Sequence, residues 1–193
     1  MTIGNRIKIA QKQKNQGSEK MTLEIMKTRR SIRKYKPTPV SKEKVHAMLE
    51  AAMLTPSACN TRPWRFVVVT NRDMLGKLAD AHKWAQMLRT APLAIVIVAL
   101  PATQDAIQGD IAKGYYPQDC GAATQSIILQ AEAMGLGTCW CGVYPKPPLM
   151  KELSELLDIP DGEIPFNIIA IGEKDEWPDP RGKYEDAKVT WVE

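Results

Sequence analysis

From residue 41 onward the chain switches between two apolar rhythms. Val45, Met48, Leu49, Ala52 and Met53 recur at helical spacing, so a helix opened by Ser41 and closed by Pro56 should bury one face. Phe66–Val69 reads as a buried strand, and Met74–Met87 as a helix with Trp84 near its end. Leu93–Leu100 has no polar position, so a central strand covered on both faces is expected there. Asp119–Met134 is helical and unusually small at its start (Gly121, Ala122, Ala123, Thr124), with Gly135 as a left-handed cap. Thr138–Val143 and Phe166–Ile171 read as strands around a helix opened by Pro147 and Pro148. A short strand is expected at Lys188–Val192. Upstream, Thr22 can cap a short helix ending near Arg30, and Pro37 and Pro39 enforce an extended link. Helices precede most of the strands, which argues for an α+β fold rather than a doubly wound sheet.

The first twenty residues break this pattern. After Ile9 they hold no large apolar side chain, so they read as a flexible extension, with the folded domain spanning 21–193. The extension carries five basic groups and one acidic, and the remainder of the chain 21 of each, so the net charge of +4 lies in the extension. A neutral body gives no electrostatic case for nucleic-acid binding. The apolar share of 44% is ordinary for a globular protein, and no apolar run approaches membrane-spanning length. The four cysteines show no C-x-x-C spacing and lie far from His46 and His82, so no metal site is expected. Free thiols without a secretory signal favour a cytoplasmic location.

The chemistry is concentrated in two polar segments. Thr28–Tyr35, T-R-R-S-I-R-K-Y, sets three arginines and a serine within a few residues, a pattern suited to phosphate and delocalised negative charge. Pro56–Trp64, P-S-A-C-N-T-R-P-W, is a small-residue polar turn that could meet the edge of a flat ligand. Neither a G-x-G-x-x-G after a strand nor a P-loop occurs, and Asp119 is the one candidate acid–base group in a signature. Such a chain leaves its chemistry to a bound phosphorylated ring cofactor.

These segments, with D-C-G-A-A-T-Q from Asp119, G-L-G-T-C-W-C-G-V-Y-P from Gly135, I-P-F-N-I-I-A-I-G from Ile164 and P-R-G-K-Y from Pro180, resemble the nitroreductase family of FMN-dependent oxidoreductases. The resemblance implies a central mixed sheet flanked by helices, in an intertwined homodimer with FMN between the subunits. It implies that Arg29, Arg30 and Ser31 meet the ribityl phosphate and that Arg33 lies by N1 and O2 of the ring. By the same resemblance Pro56, Ser57 and Asn60 approach from the second subunit, Trp140, Cys141 and Gly142 line the ring near N5, and Arg181 and Lys183 clamp the phosphate. Tyr115 and Tyr116 are candidates for the acceptor pocket. The implied activity is ping-pong hydride transfer from NADH or NADPH to a nitroaromatic or quinone. A specialised reductive dehalogenase or enoate-type reductase, or a flavin carrier without turnover, are the alternatives. Two positions depart from the family pattern: many relatives carry Gln in place of Arg62, and one branch carries Glu in place of Cys141.

Overall fold

The structure, a computed structural model, describes residues 24–179, 182 and 184–193. The extension expected over residues 1–20 lies outside them. Of the first helix, α1, residues 24–28 are described. The chain then runs extended to α2 (Lys42–Met53), which Ser41 caps by accepting the Lys44 N–H. Strand β1 (Trp64–Val69) leads into α3 (Arg72–Ala81), capped by Asn71, and then into β2 (Leu93–Ala99). One helical turn, α4 (Ala102–Asp105), precedes the long α5 (Tyr116–Ala133). Strand β3 (Leu136–Gly142), helix α6 (Pro147–Leu156) and strand β4 (Ile164–Glu173) follow.

The strands form one sheet in the order β1-β2-β4-β3, so β1 and β3 are its edges. Alternation along the strands feeds two separate cores. Leu93, Ile95, Ile97 and Ala99 of β2 face α2 and α5, whereas Ala94, Val96 and Val98 face α3 and α6. Every residue of β2 is buried, as its unbroken apolar run predicts. The helical layers therefore cover both faces of the sheet and leave only its edges and strand ends for a ligand.

Several expectations are revised. All three ladders are antiparallel. The parallel component of the implied mixed sheet is confined to one isolated bridge, Ser31–Thr138. Lys188–Val192 forms no strand: a single 3₁₀ turn (Asp186–Lys188) leads into extended, exposed residues with no ladder to join. The helix expected over Met74–Met87 stops at Ala81, where His82 turns extended. The His82 ring explains the break, because its Nδ1 accepts the Trp84 N–H and replaces the helical bond. Helix α5 begins three residues early, at Tyr116, since Pro117 is tolerated in a first turn. Gly135 does take the left-handed conformation (φ 77°). Gly137 belongs to β3.

Gly172 marks the tightest approach in the sheet. A Cβ there would lie 2.7 Å from Pro92 Cδ and 3.0 Å from a ring carbon of Tyr35. Tyr35 cannot yield easily, because its hydroxyl donates to the Ile32 carbonyl at 2.6 Å, with the Ala170 carbonyl 3.2 Å away. Gly172→Ala is therefore expected to cost about 1–3 kcal/mol of stability, read as a shift in the chemical denaturation midpoint.

Candidate functional site

After α1 the chain crosses beside the outer edge of β3. The Ile32 N–H donates to the Thr138 carbonyl at 2.8 Å and the Lys36 N–H to the Glu173 carbonyl at 3.0 Å. Ile32 and Tyr35 point inward and are buried, so the intervening polar residues face out. Arg29, Arg30, Ser31 and Arg33 line a cavity of about 200 Å³ with Pro178 and Asp179. Their visible bonds go to neutral carbonyls. Arg30 Nε donates to the Asp179 carbonyl at 3.0 Å and an Nη of Arg33 to the Ser31 carbonyl at 3.3 Å. Glu176 accepts the backbone N–H of Arg33. Among the described residues, none of these three guanidinium groups forms an ion pair. The cluster thus holds uncompensated positive charge in a form suited to phosphate.

Beside it, β3 sorts its side chains by parity. Cys139 and Cys141 point into the α3/α6 core and are each 4% exposed. Trp140 points the other way, 41% exposed, with its ring passing over Gly121 of α5 (3.8 Å to the position of a Cβ). Gly142 is exposed, and a Cβ there would meet nothing within 4 Å. The Cys141 side chain therefore does not line the outer face, contrary to expectation. Its Sγ lies 3.8 Å from the Met87 sulfur, and only its backbone can serve a ligand. The neighbouring Cys139 sulfur and burial hold the Cys141 proton on.

The Pro56–Trp64 turn lies at the other edge, leading into β1. Cys59, Asn60 and Arg62 all have positive φ (49°, 54° and 48°), and none is glycine. Such conformations cost roughly 1–2 kcal/mol each in an L-residue, less for Asn. The turn sets out two donors. Ser57 Oγ accepts the Arg62 N–H at 2.9 Å, leaving its own proton to give. Asn60 Oδ1 accepts from Arg62 Nε at 3.2 Å, which turns the Asn60 NH₂ outward.

The structure brings Arg29, Arg30, Ser31 and Arg33 together and sets Trp140 and Gly142 on the neighbouring strand. It leaves Ser57 and Asn60 at the opposite sheet edge, with Pro56 at the entrance to their turn. Arg181 and Lys183 lie outside the described residues. Tyr115 is exposed at the start of α5. Tyr116 instead packs edge-on against Tyr144 (centroids 5.9 Å), and burial pushes its hydroxyl up to about 12, so it is first a packing residue. Asp119 is not free for acid–base work, because its carboxylate accepts from the Ala58 N–H and from Gln104. Three contributors went unseen in the sequence. Glu176 holds the arginine segment, Gln104 backs Asp119, and His82 meets the Gly142 carbonyl at 2.9 Å. With Nδ1 accepting, His82 Nε2 carries the proton that the Gly142 carbonyl receives. All three act across long sequence separations, where spacing carries no signal.

This architecture is an α+β sheet with both faces covered and an arginine cluster at one edge. The sequence profile of the Nitroreductase family matches residues 26–86 and 79–173, and the chain belongs to that family. A protein of Methanothermobacter thermautotrophicus, provisionally named NADH dehydrogenase/NAD(P)H nitroreductase, is 41% identical over 167 residues, covering 86% of this chain and 84% of its own. A crystal structure from Parabacteroides distasonis, under the same provisional name, superposes with a TM-score of 0.82 at 35% identity, covering 89% of this chain and 97% of its own. A structure from Clostridium difficile, titled an FMN-dependent nitroreductase, gives a TM-score of 0.78 at 34% identity over 88% of this chain and 98% of that one. No helix among the described residues is long and apolar enough to cross a membrane.

Proposed function

We propose that this chain is an FMN-dependent oxidoreductase that takes hydride from NADH or NADPH and reduces a flat acceptor such as a nitroaromatic or quinone. The observation that carries this reading is the trio of guanidinium groups without ion pairs, beside a strand whose outward face offers Trp140 and an open Gly142. The residues fit the group: phosphate calls for concentrated Arg donors, and a ring calls for backbone that nothing bulky covers. When bound, FMN supplies the two-electron chemistry, accepting hydride at N5 and giving it to the acceptor. Arg29, Arg30 and Ser31 would hold the phosphate end, with Arg181 and Lys183 assigned there by resemblance alone. Arg33 would stabilise the negative charge that reduction adds at the N1–O2 side. Trp140 and the backbone of Cys141 and Gly142 would border the ring.

The same reading calls for two copies. Ser57 and Asn60 belong to the turn before β1, and the arginines flank β3, the opposite edge of a four-stranded sheet. Strands spaced about 4.8 Å apart put those edges roughly 14 Å from each other. A second copy can bring its turn to the first copy's arginines. The tail supports this, since Trp191 and Val192 are 80% and 94% exposed and no described residue covers them. Leu54, at the end of α2 just before the turn, is 80% exposed as well. A neighbouring copy that received the tail as a parallel strand would complete the mixed sheet that the resemblance implies.

Protein reconstituted with FMN is expected to be yellow, to bleach anaerobically with NADH or NADPH, and to regain colour with a quinone. A colourless protein after reconstitution would overturn the reading, and a yellow one inert to both nucleotides would favour a flavin carrier. Arg33→Ala should slow anaerobic flavin reduction by about 10–100-fold, on the scale of losing one charge-stabilising donor, and stopped-flow absorbance would measure it. Truncation after Glu185 is expected to shift the protein from dimer to monomer in light scattering and to lower its flavin content.

A further inference from the structure

The strained turn has an anchor in the body of the protein. We propose that Asp119, backed by Gln104, is a positioning residue that holds the Ser57–Arg62 turn in its left-handed shape, and so aims the Ser57 and Asn60 donors at the ring. This inference rests on the FMN reading above.

Most hydrogen bonds of the turn are internal to it. The Asn60 N–H donates to the Ser57 carbonyl and the Thr61 N–H to the Ala58 carbonyl, both at 3.0 Å. The Thr61 hydroxyl also returns to the Ala58 carbonyl, at 2.8 Å. Bonds of this kind tighten a turn but do not fix it in space. Among the described residues, the Trp64 N–H at the start of β1 donates to the Arg62 carbonyl at 2.7 Å, and two further bonds reach the body. The Ala58 N–H meets both Asp119 carboxylate oxygens, at 3.3 and 3.2 Å, and Gln104 Nε2 meets the Thr61 hydroxyl at 3.4 Å. Three residues with positive φ persist only where their surroundings over-determine them, and these contacts are what the surroundings supply.

The cost to the fold points the same way. Asp119 is 8% exposed, and among the described residues it forms no ion pair. A buried carboxylate without a cation is tolerated only where hydrogen bonds satisfy it. Its donors are the Ala58 N–H and Gln104 Nε2, the latter at 2.8 Å. Gln104 is itself fully buried, with its Oε1 lacking a partner. Its amide is oriented by the carboxylate and the Thr61 hydroxyl alone. Two buried polar side chains, one incompletely satisfied, are thus committed to six exposed or half-exposed turn residues whose strain serves no core.

Two readouts test this on the full-length protein. Hydrogen exchange in flavin-free protein, followed on the peptide spanning residues 56–64, reports the turn. FMN titration reports the site. Asp119→Ala is expected to speed exchange at Ala58 and weaken FMN binding, each by about tenfold, the scale of one hydrogen bond to a charged group. Asp119→Asn keeps an acceptor for Ala58, and the free Gln104 Oε1 can accept from the new amide, so its losses should be smaller on both readouts. If Asp119→Ala does not fold, Gln104→Leu carries the test, with a loosened turn and several-fold weaker FMN binding expected. Unchanged exchange in the tested variant, or faster exchange with unchanged FMN affinity, would overturn the inference. A wild-type protein that binds no FMN would overturn the cofactor reading itself, and this inference with it.

Discussion

The Ile32 N–H gives its hydrogen bond to the Thr138 carbonyl on the outer edge of β3, while β4 holds the inner edge of the same strand. That bond sets the register between the arginine segment and the strand. The bridge puts Ser31 opposite Thr138, and the β3–β4 ladder decides which way each β3 side chain points. Odd positions of β3 send thiols into the α3/α6 core, and even positions face the α2/α5 layer, where Leu136 and Thr138 are buried and Trp140 and the bare Gly142, at the strand's end, are exposed. A one-residue slip of β3 against β4 would turn Trp140 into the α3/α6 core and both cysteines out of it. Gly137 protects the register, because a Cβ there would lie 2.8 Å from the Ile32 side chain. The close approach of segment and strand, which puts guanidinium groups beside an open strand end, thus needs glycine at that position.

Sheet order then separates what the proposed chemistry must join. Covering β2 and β4 on both faces with helices makes a stable core but excludes ligands from the middle of the sheet. Function is pushed to the edges, and the two polar segments sit at different ones. Under the proposed function a single copy would carry two half-sites, at sheet edges that do not meet. On that view association is part of the site rather than an addition to it. The apolar residues left exposed in the tail and at the end of α2 are the surface that such an association would cover.

Much of this was readable from residue order, and the failures have physical causes. The unbroken run Leu93–Leu100 gave the central strand because only a strand covered on both sides tolerates it. The α2 face and the Gly135 cap followed from spacing and from φ freedom. The role of Cys141 was misjudged because a motif names neighbours along the chain without saying which side of a strand each takes. The helix at Met74–Met87 was read too long because propensity could not register that the Trp84 N–H would trade a helical bond for one to the His82 ring. Lys188–Val192 has strand composition, but a strand exists only with a partner, and no partner edge lies within its reach in one copy. Gln104, Glu176 and His82 were invisible for a simpler reason: Glu176 acts 143 positions away and His82 60, and Gln104 reaches Asp119 15 positions on and Thr61 43 positions back.

The charge distribution turns this geometry into an energetic argument. Beyond the first twenty residues the chain is neutral, so its positive potential is local rather than global. Carboxylates are available nearby, yet Glu176 takes a backbone N–H and Asp179 contributes its carbonyl, so among the described residues no carboxylate bonds directly to the three guanidinium groups. Like charges held within one small cavity repel, and that repulsion weakens the empty state. An anion entering the cavity removes the repulsion and adds charge-assisted hydrogen bonds at once. A site arranged this way is less stable empty than full, so ligand binding and folding stability should be linked. The same logic covers the strained turn, where a conformation costly in isolation is held ready in advance. In both places the fold carries a local penalty that only an occupied site can repay.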